Sequence, residues 1–189
     1  SAFFYGGAVR TDISVTARSS GVLAHPRRPY CPAALLFWAS EAAASVEQFS
    51  QVRTAESSAK SRFHPAEAAR AADLARALSI QAGASQVAVL SWYNAQVARV
   101  ASLLQGSGIH VGSVVTAQGG EWDYVVLSTV RATLGGIGCL SDAHLLNVAL
   151  TRARRGACIL GSPTVLRNGS EAWAALLEHC EQRGAVTLV

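Results

Sequence analysis

From His64 onward the chain alternates between two hydrophobic periods. Pro65 suits the first turn of a helix, and Glu67 suits its positive end. Ala71, Leu74, Ala75 and Leu78 then form an apolar stripe at helical spacing, which Gly83 ends. Gln86-Val87-Ala88-Val89-Leu90 is a short continuous apolar run and predicts a strand. A second helix is expected over 94–105, with Val97, Val100, Ala101 and Leu104 on one face. Valine-rich strands are expected at 111–115 and 124–130. A helix follows at 142–153, a strand at 156–161, a helix at 171–182 and a last strand at 185–189.

The first 60 residues are less regular. Pro26, Pro29 and Pro32 break that region into extended pieces. Ala34-Leu35-Leu36-Phe37-Trp38 reads as a buried strand. Residues 40–62 are rich in Ser, Ala and Glu and are expected to be a surface connection. No internal repeat is visible. Short apolar strands alternating with helices imply an α/β fold, its sheet mostly parallel and covered on both faces. Functional groups in such sheets cluster beyond the carboxyl ends of the strands. That directs attention to the loops after Leu90, Val115, Val130 and Leu160.

Composition narrows the picture. A length of 189 residues predicts a single domain over 1–189, with 1–62 as an irregular leading segment. With 50% hydrophobic and 15% charged residues, the chain can build a core and is not of the disordered class. Net charge is +4, and Lys60 is the only basic residue that is not arginine. An arginine-dominated basic surface fits phosphate-bearing partners, although a small positive excess is also common in proteins with none. No apolar run reaches the roughly 18 residues of a membrane span, so no membrane partner is expected. Ser1-Ala2-Phe3-Phe4-Tyr5 lacks the basic flank of a signal peptide. Cys31, Cys139, Cys158 and Cys180 form no CxxC pair and have no histidine at ligand spacing, so no metal site is expected. Cys158, inside Ala157-Cys158-Ile159-Leu160, reads as a buried free thiol. A reducing, intracellular setting, cytoplasm or nucleus, fits best.

Three constellations carry candidate chemistry. Thr116-Ala117-Gln118-Gly119-Gly120-Glu121-Trp122-Asp123 lies between two strand candidates. Its glycines could bring backbone N–H groups to phosphate oxygens, and a carboxylate after them could accept from ribose hydroxyls. It could equally be a tight turn with an acidic tip. In Leu146-Asn147-Val148-Ala149-Leu150-Thr151-Arg152-Ala153-Arg154-Arg155, the positions Leu146, Ala149, Leu150 and Ala153 form one core stripe. Arg152 and Arg154 stand roughly 200° apart if the helix continues. Arg152 could cap the negative helix end, or stabilise phosphate charge in a transition state. Ser91-Trp92-Tyr93-Asn94-Ala95-Gln96 follows a strand. Its aromatics could meet nucleic acid or pack the top of the sheet.

Taken together, these segments resemble the second motor lobe of superfamily 1 helicases, in the subgroup of the nonsense-mediated-decay RNA helicase. That family shows T-P-Y-x-x-Q, then F-Q-G-x-E-x-D with an S-T-V-R strand, then L-N-V-A-L-T-R-A-R. Here the counterparts are Ser91 to Gln96, Ala117 to Asp123 with Ser128-Thr129-Val130-Arg131, and Leu146 to Arg154, the last unbroken over nine residues. Phe4-Tyr5-Gly6-Gly7 and the helix carrying Glu67-Ala68 are similar to further family elements. Gln-Gly-x-Glu-Trp-x-Tyr-Val at 118–125 is most similar to the large zinc-finger helicases that act as nuclear-receptor coactivators. Ser91 and Trp92 replace the family's threonine and proline, and Val115 replaces an acidic residue. Arg62-Phe63-His64-Pro65 imitates an R-M-H-P box but stands in the wrong order, and is taken as a helix start.

The resemblance implies a RecA-like three-layer fold and a role as half of an ATP-dependent helicase motor. It implies ATP with Mg2+ as cofactor, the magnesium held by a first RecA-like lobe. This chain has no GxxxxGK[ST] loop and no Asp-Glu box. It further implies that Arg152 is the arginine finger, with Gly119 near the γ-phosphate, Glu121 on the ribose and Gln118 ordering the loop. Arg154 is a second candidate, or the structural partner of a carboxylate. Thr116, Ser91 and Tyr93 would face single-stranded RNA or DNA. Two other readings stay open: a degenerate lobe kept for nucleic-acid or protein interaction, and an independent nucleotide-binding enzyme using Gly135-Gly136-x-Gly138.

Overall fold

The computed structural model describes residues 35–39, 48–53, 58–133 and 136–188. The features read at Phe4-Tyr5-Gly6-Gly7, at Pro26, Pro29 and Pro32, at Cys31 and at Gly135 lie outside those residues. The strands are β1 (Leu35–Ala39), β2 (Gln48–Arg53), β3 (Ser58–Phe63), β4 (Val87–Ser91), β5 (His110–Ser113), β6 (Trp122–Ser128), β7 (Ala153–Gly161) and β8 (Val186–Leu188). The helices are α1 (Pro65–Ala82), α2 (Asn94–Leu103), α3 (Ala143–Thr151), α4 (Pro163–Gly169) and α5 (Glu171–Gln182).

Six strands form one sheet in the order β5-β4-β6-β7-β1-β8, and every pairing in it is parallel. The expected α/β class follows from the strands themselves. All five residues of β4 are buried, as are the last five of β6. Strands buried on both faces need an apolar side chain at nearly every position. Alternate residues then feed two cores. Val87, Val89, Val126, Cys158 and Leu160 pack under α1 and α2. Ala88, Leu90, Val125, Leu127 and Ile159 pack under α3, α4 and α5, with Trp173 fully enclosed.

The starts of α1, α3 and α4 follow side-chain chemistry. His64 caps α1, its Nδ1 accepting from the Glu67 N–H at 3.2 Å, and Pro65 occupies the first turn. Asp142 caps α3, accepting from the N–H groups of His144 at 2.8 Å and Leu145 at 3.2 Å. The helix expected at 142–153 therefore starts one residue later. It stops at Thr151, because the chain enters β7 at Ala153, three residues before the expected strand.

Other expectations are corrected. The stretch 40–62 is not all surface connection: β2 and most of β3 fall in it, and the two strands pair antiparallel as a separate ribbon. On α2 the buried residues are Ala95, Gln96 and Val100, while Ala101 is exposed. Gln96 turns that helix inward through buried hydrogen bonds, which no apolar stripe could foreshadow. The short helix α4 was not expected. Ser162 caps it, accepting from Val165 N–H at 3.4 Å.

Candidate functional site

Arg152 is the C-cap residue of α3. Its Nε donates to the Val148 carbonyl at 3.1 Å and its Nη1 to the Gly120 carbonyl at 3.1 Å. Its own carbonyl accepts from the Trp122 N–H at 2.9 Å. One residue thus ties the end of α3 to the start of β6. The helix-capping bond foreseen for Arg152 is present, and it leaves donors over. A guanidinium carries five N–H groups, and these bonds use two of them.

The segment that Arg152 holds is a glycine turn. Gly119 has φ of 87°, in the region that favours glycine, and a Cβ there would meet nothing within 4 Å. A Cβ at Gly120 would collide with the Trp122 indole. Trp122 in turn stacks on His110, ring centres 4.6 Å apart. Burial lowers the His110 pKa below the usual 6.5. Gln118 and Glu121 are exposed on either side of the glycines, and the Gln118 N–H reaches the Val115 carbonyl at 3.4 Å.

Arg154 has different partners. It lies in β7, where its Nε stands 3.2 Å from Asp123 Oδ1 and its Nη2 donates to Gln86 Oε1 at 2.7 Å. Arg155 approaches Asp123 Oδ2 at 3.6 Å and lies over the Tyr124 ring. Arg154 is therefore brought to a carboxylate, and not to the Gly119–Gly120 turn.

The expected clustering at the carboxyl ends of the strands is only half met. Arg152, Gly119 and Glu121 lie at the amino ends of β6 and β7, where Trp122 pairs with Ala153. The reason is the connection from β5 to β6. Residues 114–121 run down one face of the sheet, burying Val114 and Ala117, and return to the start of β6. Helix α3 runs back to the same edge.

Thr116, Ser91 and Tyr93 belong to the opposite, carboxyl edge. Thr116 is exposed and pinned by reciprocal bonds. Its Oγ1 accepts from the Ser113 N–H at 3.1 Å, and its N–H donates to Ser113 Oγ at 3.0 Å. Ser91 is buried, its hydroxyl donating to the Ser128 carbonyl at 2.8 Å and accepting from the Tyr93 N–H at 3.3 Å. Ser91 thus shapes the loop from within. Tyr93 is half-buried, and its hydroxyl donates to the Ile137 carbonyl at 3.4 Å. Burial raises its pKa, the neighbouring Cys139 adds to this, and Arg131 opposes it. Trp92 packs edge-on against Trp173, as the packing alternative for these aromatics required.

One group at this edge escaped the sequence. Glu67 suited the helix start, as read, but it is also buried and reaches across to β6. Its Oε1 accepts from Ser128 Oγ at 2.7 Å and from the Val130 N–H at 2.9 Å. Gln96 completes the cluster, donating to Ser128 Oγ at 2.8 Å and accepting from the His64 N–H at 2.9 Å. The signal was only the presence of Glu67 and Gln96 at the starts of two helices. Among the described residues, no cluster of His, Cys, Asp and Glu could hold a metal ion, and no helix is long and apolar enough to cross a membrane.

The model of the AAA domain family matches residues 1–164. A mouse protein named 3'-5' exoribonuclease HELZ2 is 32% identical over 94% of this chain. A regulator of nonsense transcripts 1 homolog from Arabidopsis thaliana is 42% identical over 52% of the chain. The ATP-dependent helicase upf1 of Schizosaccharomyces pombe is 35% identical over 52%. The aligned region spans only 6%, 8% and 12% of those three proteins.

Proposed function

This chain belongs to the AAA domain family, in a branch shared with superfamily 1 helicases of the nonsense-mediated-decay type, and from that premise we propose that it is the second, RecA-like lobe of an ATP-dependent helicase motor. The observation that carries the proposal is the bond from Arg152 to the Gly120 carbonyl. It joins the arginine of one motif to the glycine turn of the other, at one edge of the sheet.

In this reading ATP lies against the amino edge of β6 and β7. The remaining Arg152 donors reach the γ-phosphate, the Gly119 N–H lies close by, and Glu121 accepts from the ribose. Gln118 keeps the turn in place. The open space beside Gly119 and the exposure of Glu121 fit a nucleotide there. Magnesium would neutralise phosphate charge. It would be held by a first lobe, because this sequence has neither a phosphate loop nor the acidic box. Single-stranded RNA or DNA would run along the carboxyl edge, past Thr116 and the Ser91–Tyr93 loop. Contacts there would be mainly to backbone and weakened by salt.

The test is Arg152→Ala in the intact protein. An arginine finger is worth roughly 10³–10⁵ in phosphoryl-transfer rate, so ATP turnover is expected to fall by about that factor while the variant stays folded. A second reading, a non-catalytic interaction module, draws on the two structural bonds that Arg152 already makes. Unchanged turnover in Arg152→Ala, or an intact protein with no nucleic-acid-stimulated ATPase, would favour that module.

A further inference from the structure

The turn after β6 is strained, and a buried carboxylate holds it. Val130 has φ of 69°, and it is the only non-glycine residue with positive φ among those described. A β-branched residue there is a conformational outlier. The Arg131 N–H donates to the Thr129 carbonyl at 2.7 Å, closing a γ-turn around Val130. That form of γ-turn is rare and strained, and strained turns persist only where surrounding bonds over-determine them. Here the bonds are specific. Glu67 accepts from the Val130 N–H and from Ser128, Gln96 donates to Ser128, and Ser91 donates to the Ser128 carbonyl. Thr129 is fastened to Leu160 through both its N–H and its hydroxyl.

Ser91 links this turn to the neighbouring loop, its hydroxyl donating to the Ser128 carbonyl and accepting from the Tyr93 N–H. A chain of contacts therefore runs from the first turn of α1, through the strained turn, to the Ser91–Tyr93 loop. We propose that Glu67 is a positioning residue: it holds the Val130 turn in its positive-φ form, and through Ser128 and Ser91 it sets the loop that grips a single strand. The functional part of this rests on the helicase-lobe reading above. The structural part does not.

Both parts are tested in the intact protein with Glu67→Ala. Amide exchange at Val130 and Arg131 is expected to speed up by about tenfold or more, while the strands around them stay protected. The oligouridylate or oligothymidylate concentration that half-saturates ATPase stimulation is expected to rise about tenfold, with KM for ATP moving less than about twofold. Glu67→Gln keeps the acceptor oxygen and should show a smaller shift of the same kind. It carries the test if the alanine variant does not fold. Adding Val130→Gly should recover most of the loss, because glycine adopts this φ unaided. Unchanged exchange at Val130 in the folded variants would overturn the assignment. So would equal shifts in ATP and oligonucleotide constants, or a failure of Val130→Gly to restore binding. If the unaltered protein shows no stimulation by either oligonucleotide, the lobe reading fails, and the exchange data still decide the role of Glu67.

Discussion

At position 152 a planar fork bonds the Val148 and Gly120 carbonyls from two different nitrogens. Lysine offers one nitrogen in place of the two that make these bonds. The cysteines illustrate a different control. Burial pushes the thiols of Cys158 and Cys180 up to about 12, so both stay protonated at neutral pH. Cys139 is exposed. Iodoacetamide should therefore label Cys139 in the native protein, and Cys158 and Cys180 only after denaturation, as read by peptide mass mapping. Native labelling of Cys158 would contradict its enclosure. Cys158 was legible because its neighbours are all apolar. Glu67 was not fully legible. A carboxylate in the first turn of a helix is favourable whether exposed or buried, and its partner Ser128 lies 61 residues away.

At the scale of elements, α3 sets where Arg152 stands, and its cap sets α3. Removing such a cap costs about 1 kcal/mol. Asp142→Ala should lower the urea midpoint by a corresponding amount, with the slope unchanged. A shift indistinguishable from zero would mean that packing of Leu146 and Ala149 alone places the helix. The long elements were legible because periodic stripes are redundant over three or more turns. The elements missed were short or polar. Helix α4 has seven residues, too few to display a period. The ribbon of β2 and β3 is rich in serine, glutamine and arginine. The start of β7 was hidden for a related reason. Arg154 and Arg155 look like loop residues until Asp123 on the neighbouring strand supplies their counter-charge.

For the molecule as a whole, two histidines have pKa values lowered mainly by burial, His110 on the sheet and His179 on α5, where Arg183 adds to the effect. Such groups bind fewer protons folded than unfolded. Their stabilisation is complete above the ordinary value of 6.5 and is lost as pH falls through the lowered folded value. The urea midpoint should therefore decline as pH falls below about 6.5, and His110→Gln should make that decline shallower. A midpoint that rose on acidification would contradict this. The parallel sheet and its helical layers were legible in the chain. The division of candidate groups between two edges was not, because it depends on the path of residues 114–121 across one face. That division has a mechanical consequence. β6 is seven residues long, with the Gly120 turn at one end and the Val130 turn at the other. Seven residues of strand span about 23 Å, and a close-packed interior barely compresses. β6 is thus a short, stiff tie between the two turns, its pairing with β7 irregular only between Trp122 and Tyr124.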